Sequence, residues 1–108
     1  KRRIQIAINI AYGADITKAK RVAIEVLRAD PRVLDDPAPI AEVIAMGDSA
    51  VNLVLRPWTT PSDYWATFFA LNQAVKEAFD REGIKIPLPQ MDIRVKSSLP
   101  SGGPPGKG

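Results

Sequence analysis

Met46-Gly47-Asp48-Ser49-Ala50-Val51-Asn52-Leu53-Val54-Leu55-Arg56-Pro57-Trp58 decides how this chain is read. Gly47-Asp48 is a turn signal between two β-prone runs, 40–46 and 49–58, and the pair reads as an antiparallel hairpin. In the second run Val51, Leu53 and Leu55 share one face, opposite Asn52, Val54 and Arg56, because side chains alternate along a strand. Pro57 is expected to end that strand, since it has no amide donor to continue a ladder.

The segments on either side follow from the same periodicities. Upstream, residues 3–12 alternate, with Ile4, Ile6, Ile8, Ile10 and Tyr12 on one side and Gln5, Ala7, Asn9 and Ala11 on the other, which predicts a half-buried strand. Gly13 turns the chain and Asp15 is placed to cap a helix carrying Ile16, Ala19, Val22, Ala23, Val26 and Leu27 on one stripe, stopped by Asp30-Pro31. Residues 31–39 form a proline-containing loop in which Arg32-Val33-Leu34 is a candidate extended segment. Downstream, Thr60-Pro61-Ser62-Asp63 supplies an N-cap, a proline at the first helical position and an acid at the third. The helix that follows is expected to bury Tyr64, Trp65, Phe68, Leu71, Val75, Ala78 and Phe79, and to stop at Gly83.

After Ile84-Lys85-Ile86, Pro87 and Pro89 fix two backbone angles and withhold two amide donors, so this part reads as an extended spacer and not as the middle of a sheet. Met91, Ile93 and Val95 then alternate with Asp92, Arg94 and Lys96, a short strand with one apolar face. Residues 97–108 hold four Gly, three Pro and three Ser, a composition expected to be disordered. The order βαββαβ is that of an α+β, ferredoxin-like two-layer sandwich with both helices on one face of the sheet. The division is residues 1–86 as the ferredoxin-like domain, 87–96 as proline spacer and terminal strand, and 97–108 as tail.

Composition narrows function mainly by exclusion. The 108 residues suffice for one modest core. With no cysteine and no histidine, thiolate zinc sites, triad hydrolases and His-dependent nucleases lose their usual groups. No glycine-rich phosphate loop lies between a strand and a helix, so no cofactor is expected. Asp35, Asp36, Asp48 and Asp63 fall in turns and caps, where aspartate serves local hydrogen bonding. The longest uncharged run, Tyr64 to Val75, has 12 residues, short of the roughly 20 apolar residues a membrane-crossing helix needs. The chain opens without methionine and with no signal-peptide pattern, and is read as a piece of something longer.

Net charge is +3, yet residues 1–83 are balanced at 11 basic and 11 acidic groups, and the excess sits in residues 84–108. That is a weak footprint for nucleic acid. An RNA-binding module of this topology would also carry aromatics on its central strands, where this chain has isoleucine, valine and leucine. A free-standing ferredoxin-like regulatory or RNA-binding module is therefore the alternative reading, and nucleic acid is disfavoured as a partner. Trp58, on the polar side of its strand beside Arg56, is a candidate for facing a neighbouring subunit. The apolar face of Met91, Ile93 and Val95 needs either its own sheet or copies of itself, and copies around an axis could close a small barrel.

Ala11-Tyr12-Gly13 with Asp15, Asp30-Pro31-Arg32-Val33-Leu34, Gly47 to Asn52 into Arg56-Pro57-Trp58, Asp63-Tyr64-Trp65, and Gly83-Ile84 through Ile86-Pro87-Leu88-Pro89-Gln90-Met91-Asp92 occur in an order that resembles the last cytoplasmic domain of the small-conductance mechanosensitive channel family. The resemblance covers nearly all of residues 3–96. It implies a homoheptamer whose transmembrane helices form a tension-opened pore, with this domain in a hollow cage on the cytoplasmic side of the inner membrane. It further implies that Pro87 and Pro89 form the spacer, that the strand from Met91 through Asp92, Ile93 and Val95 to Lys96, preceded by Gln90, joins an inter-subunit barrel, and that Gly47 to Trp58 form core sheet and nearby inter-subunit surface. Membrane contact would come only through segments absent from this chain, which by itself would be soluble. These roles are structural; no enzyme activity is implied.

Overall fold

The computed structural model describes residues 1–87. Strands β1 (Arg2–Arg3) and β2 (Ile6–Ile10) precede helix α1 (Ile16–Ala29); β3 (Ile40–Met46), β4 (Val51–Arg56) and β5 (Trp58–Thr59) lead through a single 3-10 turn (Pro61–Asp63) into helix α2 (Tyr64–Arg81). The sheet order is β2-β4-β3, with β1 and β5 paired separately. This is the ferredoxin-like order with its fourth position, beside β2, unfilled among the described residues. The expected strand from Met91 to Val95 lies outside them, as do Pro89, Gln90 and Asp92.

Each helix forms where the sequence places it. Asp15 accepts a hydrogen bond from the Lys18 amide at 3.0 Å, satisfying one of the donors a helix start leaves free. α1 buries Ala19, Val22, Ala23 and Leu27, while α2 buries Thr67, Leu71, Val75, Ala78 and Phe79. At its end Gly83 takes a φ of 74°, a left-handed conformation that costs a glycine little. The helix stripes meet Ile4, Ile6, Ile10, Ala41, Val51, Leu53 and Leu55 in one core, which Val33 and Ile84 close at its margins. Val54, on the far face of β4, is also fully buried.

Three expectations need correction. The first strand is not continuous over 3–12: it breaks between Arg3 and Ile6, and Tyr12 is exposed, its hydroxyl donating to the Gly47 carbonyl. Pro57 does end β4, at Arg56, but pairing resumes beyond it. β2 pairs with β4 from Ile6↔Leu55 to Ile10↔Val51, and β1 pairs with β5 as Arg2↔Thr59 and Arg3↔Trp58, so both obey a single register with Ile4 opposite Pro57. The Ile4 amide donates to the Pro57 carbonyl at 2.8 Å, but Pro57 has no N–H to return, and the ladder opens by one rung before resuming. Second, Trp65 leaves the α2 stripe for solvent; Thr67 is buried, one turn before Leu71.

Arg32-Val33-Leu34 forms a turn, not a strand. Asp30 holds it by accepting from the Arg32 backbone N–H at 2.9 Å and from the Arg32 guanidinium at 3.0 and 2.8 Å. The Leu34 amide then reaches the Trp58 carbonyl at 2.8 Å.

Candidate functional site

Strand β2 has two edges that differ completely. Residues alternate in which edge their amides serve. Ile4 bonds toward Pro57, on the β4 side, and Ala11 bonds away from it, to the Lys85 carbonyl at 2.9 Å. Even-numbered positions therefore face β4, while Gln5, Ala7 and Asn9 turn their N–H and C=O groups to the other edge, where among the described residues no strand pairs with β2. Beside this open edge lies a groove of about 530 Å³ lined by Ile6, Ile8, Phe69, Val75 and Ile86 among others. Pro87, next after the groove-lining Ile86, is half-buried.

The groove continues onto an aromatic surface. Trp65 is 59% and Phe69 65% exposed, their ring centroids 6.0 Å apart and near-parallel. Phe68 meets both edge-on, at 5.8 Å from Trp65 and 5.5 Å from Phe69. Tyr64 extends the cluster inward, stacked on Phe68 at 6.5 Å and covered by the Arg2 guanidinium 4.0 Å from its ring centre, a cation–π contact that holds the start of β1 against α2. Large neighbouring apolar side chains in water mark a surface that something else covers. From sequence, the aromatic group Trp58, Tyr64, Trp65, Phe68 and Phe69 reads mostly as packed core, whereas Trp65 and Phe69 are exposed. Helical spacing carried the missing signal, since Phe69 shares its side of α2 with Asn72, Gln73 and Lys76.

A second groove, of about 510 Å³, runs between the helices and is lined by Val26, Ala29, Ala70, Ala74, Glu77 and Arg81 together with the Asp30–Arg32 pair. The hydrogen bonds from Arg32 hold the Asp30 carboxyl below its usual range, and Asp30 holds the guanidinium further up. This pair secures the loop between α1 and β3; nothing converges on it that would act on a substrate. Among the described residues no three His, Cys, Asp or Glu side chains cluster as a metal site. No helix among them is long and apolar enough to cross a membrane.

Of the residues singled out from sequence, Trp58 sits half-buried in β5 opposite Arg3, on the sheet face away from the helices. Pro87 is half-buried and follows Ile86, which lines the groove. Pro89, Gln90, Met91, Asp92, Ile93 and Val95 lie outside the described residues.

A family model described as the C-terminal region of the mechanosensitive ion channel MscS matches residues 4–86. The small-conductance mechanosensitive channel of Edwardsiella ictaluri is 43% identical over 99 residues, 92% of this chain and 35% of that protein. An uncharacterized MscS family protein of Synechocystis is 35% identical over 95 residues, 88% of this chain and 32% of its own length. The chain thus spans about a third of the curated relatives it matches. In fold, the crystal structure of closed-state Helicobacter pylori MscS agrees with a TM-score of 0.77 at 24% identity, covering 90% of this chain and 39% of that one. The cryo-EM structure of wild-type AtMSL1 agrees at 0.68 and 17% identity, covering 82% and 33%.

Proposed function

The chain belongs to the MscS family of mechanosensitive ion channels, of which it carries the C-terminal domain, and from that premise we propose that it is the vestibule and assembly element of a tension-gated channel. The whole channel would release ions and small osmolytes on hypo-osmotic shock, as a homoheptamer. This domain would lie on the cytoplasmic side of the inner membrane, tied to the bilayer through segments outside this chain, and would catalyse no reaction.

The observation that carries the reading is the exposed Trp65–Phe69 surface running into the open edge of β2. A reaction centre would gather polar groups in a closed pocket; here the unfilled features are apolar and edge-like, which suits contact between copies of a chain. Residues 1–86 would form the body of each subunit, Pro87 and Pro89 its spacer, and Gln90 to Val95 the strand that joins a barrel shared by all copies, with 97–108 as tail. Trp58 would meet a neighbouring subunit.

The test uses the full-length gene. Removing residues 87–108 should lower the mass of the detergent-extracted complex by light scattering and reduce survival of channel-deficient cells after osmotic downshift. Unchanged mass and unchanged survival together would remove the assembly role. A reading frame with no membrane-crossing helices ahead of Lys1 would remove the channel reading altogether.

A further inference from the structure

We infer that strand β1 is a strap that opens and closes on the rest of the domain, and that Arg2 on the Tyr64 ring is the contact that keeps it shut. The ladder is built to divide there. Ile4 is fully buried and anchors the chain in the core, but its rung is a single bond, from the Ile4 amide to the Pro57 carbonyl at 2.8 Å, because proline returns none. Beyond it β1 adds only Arg2 opposite Thr59 and Arg3 opposite Trp58, against five consecutive pairs between β2 and β4. Both β1 residues are exposed. Their seat is fixed without them: β5 continues from β4 through Pro57, Thr59 is fully buried, and the Leu34 amide holds the Trp58 carbonyl from the other edge at 2.8 Å. β1 can therefore leave while β5 stays.

The register decides which side chain of the strap does the holding. Side chains alternate across a strand, so Arg2 lies on the helix side with the buried Thr59, while Arg3 shares the opposite face with Trp58. The Arg2 guanidinium stands 4.0 Å from the centre of the Tyr64 ring, and Tyr64 is itself packed on the core and stacked on Phe68 at 6.5 Å. The ring is a fixed target. A two-residue ladder contributes little stability of its own, and closing it costs conformational entropy, so the attraction of the cation to the ring face tips the balance toward the closed strap. Opening uncovers that ring face and enlarges the aromatic surface that Trp65 and Phe69 already present to solvent. The strap thus sets how much aromatic surface α2 shows. The coupling is reciprocal: anything that binds the uncovered ring favours the open strap, and closure weakens that binding. This inference goes beyond the assembly reading and does not depend on it.

NMR amide exchange of the 108-residue chain tests it at Thr59, whose N–H by strand alternation serves β1, with Leu55 of the inner ladder as the reference. In the unaltered chain Thr59 should exchange faster than Leu55, through local opening. Arg2→Gln should speed Thr59 a further two- to fivefold or so and leave Leu55 unchanged. Tyr64→Leu should do the same, and the two substitutions together should do no more than either alone. Arg3→Gln, which removes an equal charge from the opposite face, should leave Thr59 as it was. A ring-current shift of the Arg2 side-chain protons, present in the unaltered chain and lost in Tyr64→Leu, should mark the contact itself. Should Tyr64→Leu fail to fold, Arg2→Gln and Arg3→Gln decide alone. The inference is overturned if Arg2→Gln leaves Thr59 unchanged, if Arg3→Gln speeds it as much, or if the effects of Arg2→Gln and Tyr64→Leu simply add. Thr59 as protected as Leu55 without any substitution, or Leu55 speeding up together with Thr59, would overturn it too, since β1 would then open only with the whole domain.

Discussion

The two edges of strand β2 carry the same kind of backbone and meet opposite fates. On its β4 side the chain makes an antiparallel ladder that tolerates Pro57, resumes across it as β1 with β5, and places Ile4, Ile6 and Ile10 against the helices. On its outer side there is, among the described residues, one backbone bond, from the Ala11 amide to the Lys85 carbonyl. An isolated missing donor dents a ladder that intact rungs on both sides hold in register. One side of the strand thus closes the core, while among the described residues the other side carries a single backbone bond.

Adjacent prolines would break this comparison most severely. Ile8→Pro removes an amide that serves β4 and a half-buried side chain, at a cost of about 3 kcal/mol or more, enough to abolish much of the stability of a domain this size. Ala7→Pro removes an amide that faces no strand among the described residues, so its cost should be the smaller one, confined to bending the strand's φ toward the proline value. Paired urea melts of the two variants measure the difference; equal losses would mean that β2 is paired on both edges.

The core behind the inner edge is the next point of attack. Phe79→Ala, at a fully buried position, should cost about 3–5 kcal/mol, against less than about 0.5 kcal/mol for Phe69→Ser on the exposed side of the same helix. Thermal unfolding of both variants reads the contrast directly, and a large loss at Phe69 would place it in the core after all. A smaller effect is expected from Asp15→Ala, about 1 kcal/mol through loss of the α1 cap, visible as a lower urea midpoint with an unchanged slope.

The least effect should come from pH. Asp30 ionises more readily in the folded chain than in the unfolded one because Arg32 hydrogen-bonds its carboxylate. Its contribution is therefore complete above its ordinary value of 3.8 and is lost as pH falls through the lower folded value. The stability gap between the chain and Asp30→Asn should be steady near neutrality and close below pH 3.8; a gap that widened on acidification would contradict the assigned direction. Because this turn presents the Leu34 amide to Trp58, the same acidification should first loosen the β5 end of the inner ladder.

Much of this architecture was legible before any coordinates. The Gly47-Asp48 turn, the Asp15 cap, the Gly83 stop and the Val51, Leu53, Leu55 face are decided within a few residues of each other, and each stands where periodicity and turn chemistry put it. The ordered set of short motifs also pointed to the channel family that the comparisons establish. What failed was the exposure of Trp65 and the continuity of the first strand. Both depend on partners far along the chain: Arg2 and the sheet edge decide how much of the α2 aromatic cluster is covered, and Pro57 decides where the first strand breaks.

By itself, then, the sequence determined the elements, their order and the family, because helical and strand periodicity are properties of near neighbours and leave their record in local spacing. Only the tertiary structure decided which amides of β2 face β4 and which face outward, and that the outward Ala11 amide meets the Lys85 carbonyl. Rung alignment is a relation between segments some 75 residues apart in this chain, fixed by how the core brings them together, and no window of sequence contains both sides of it.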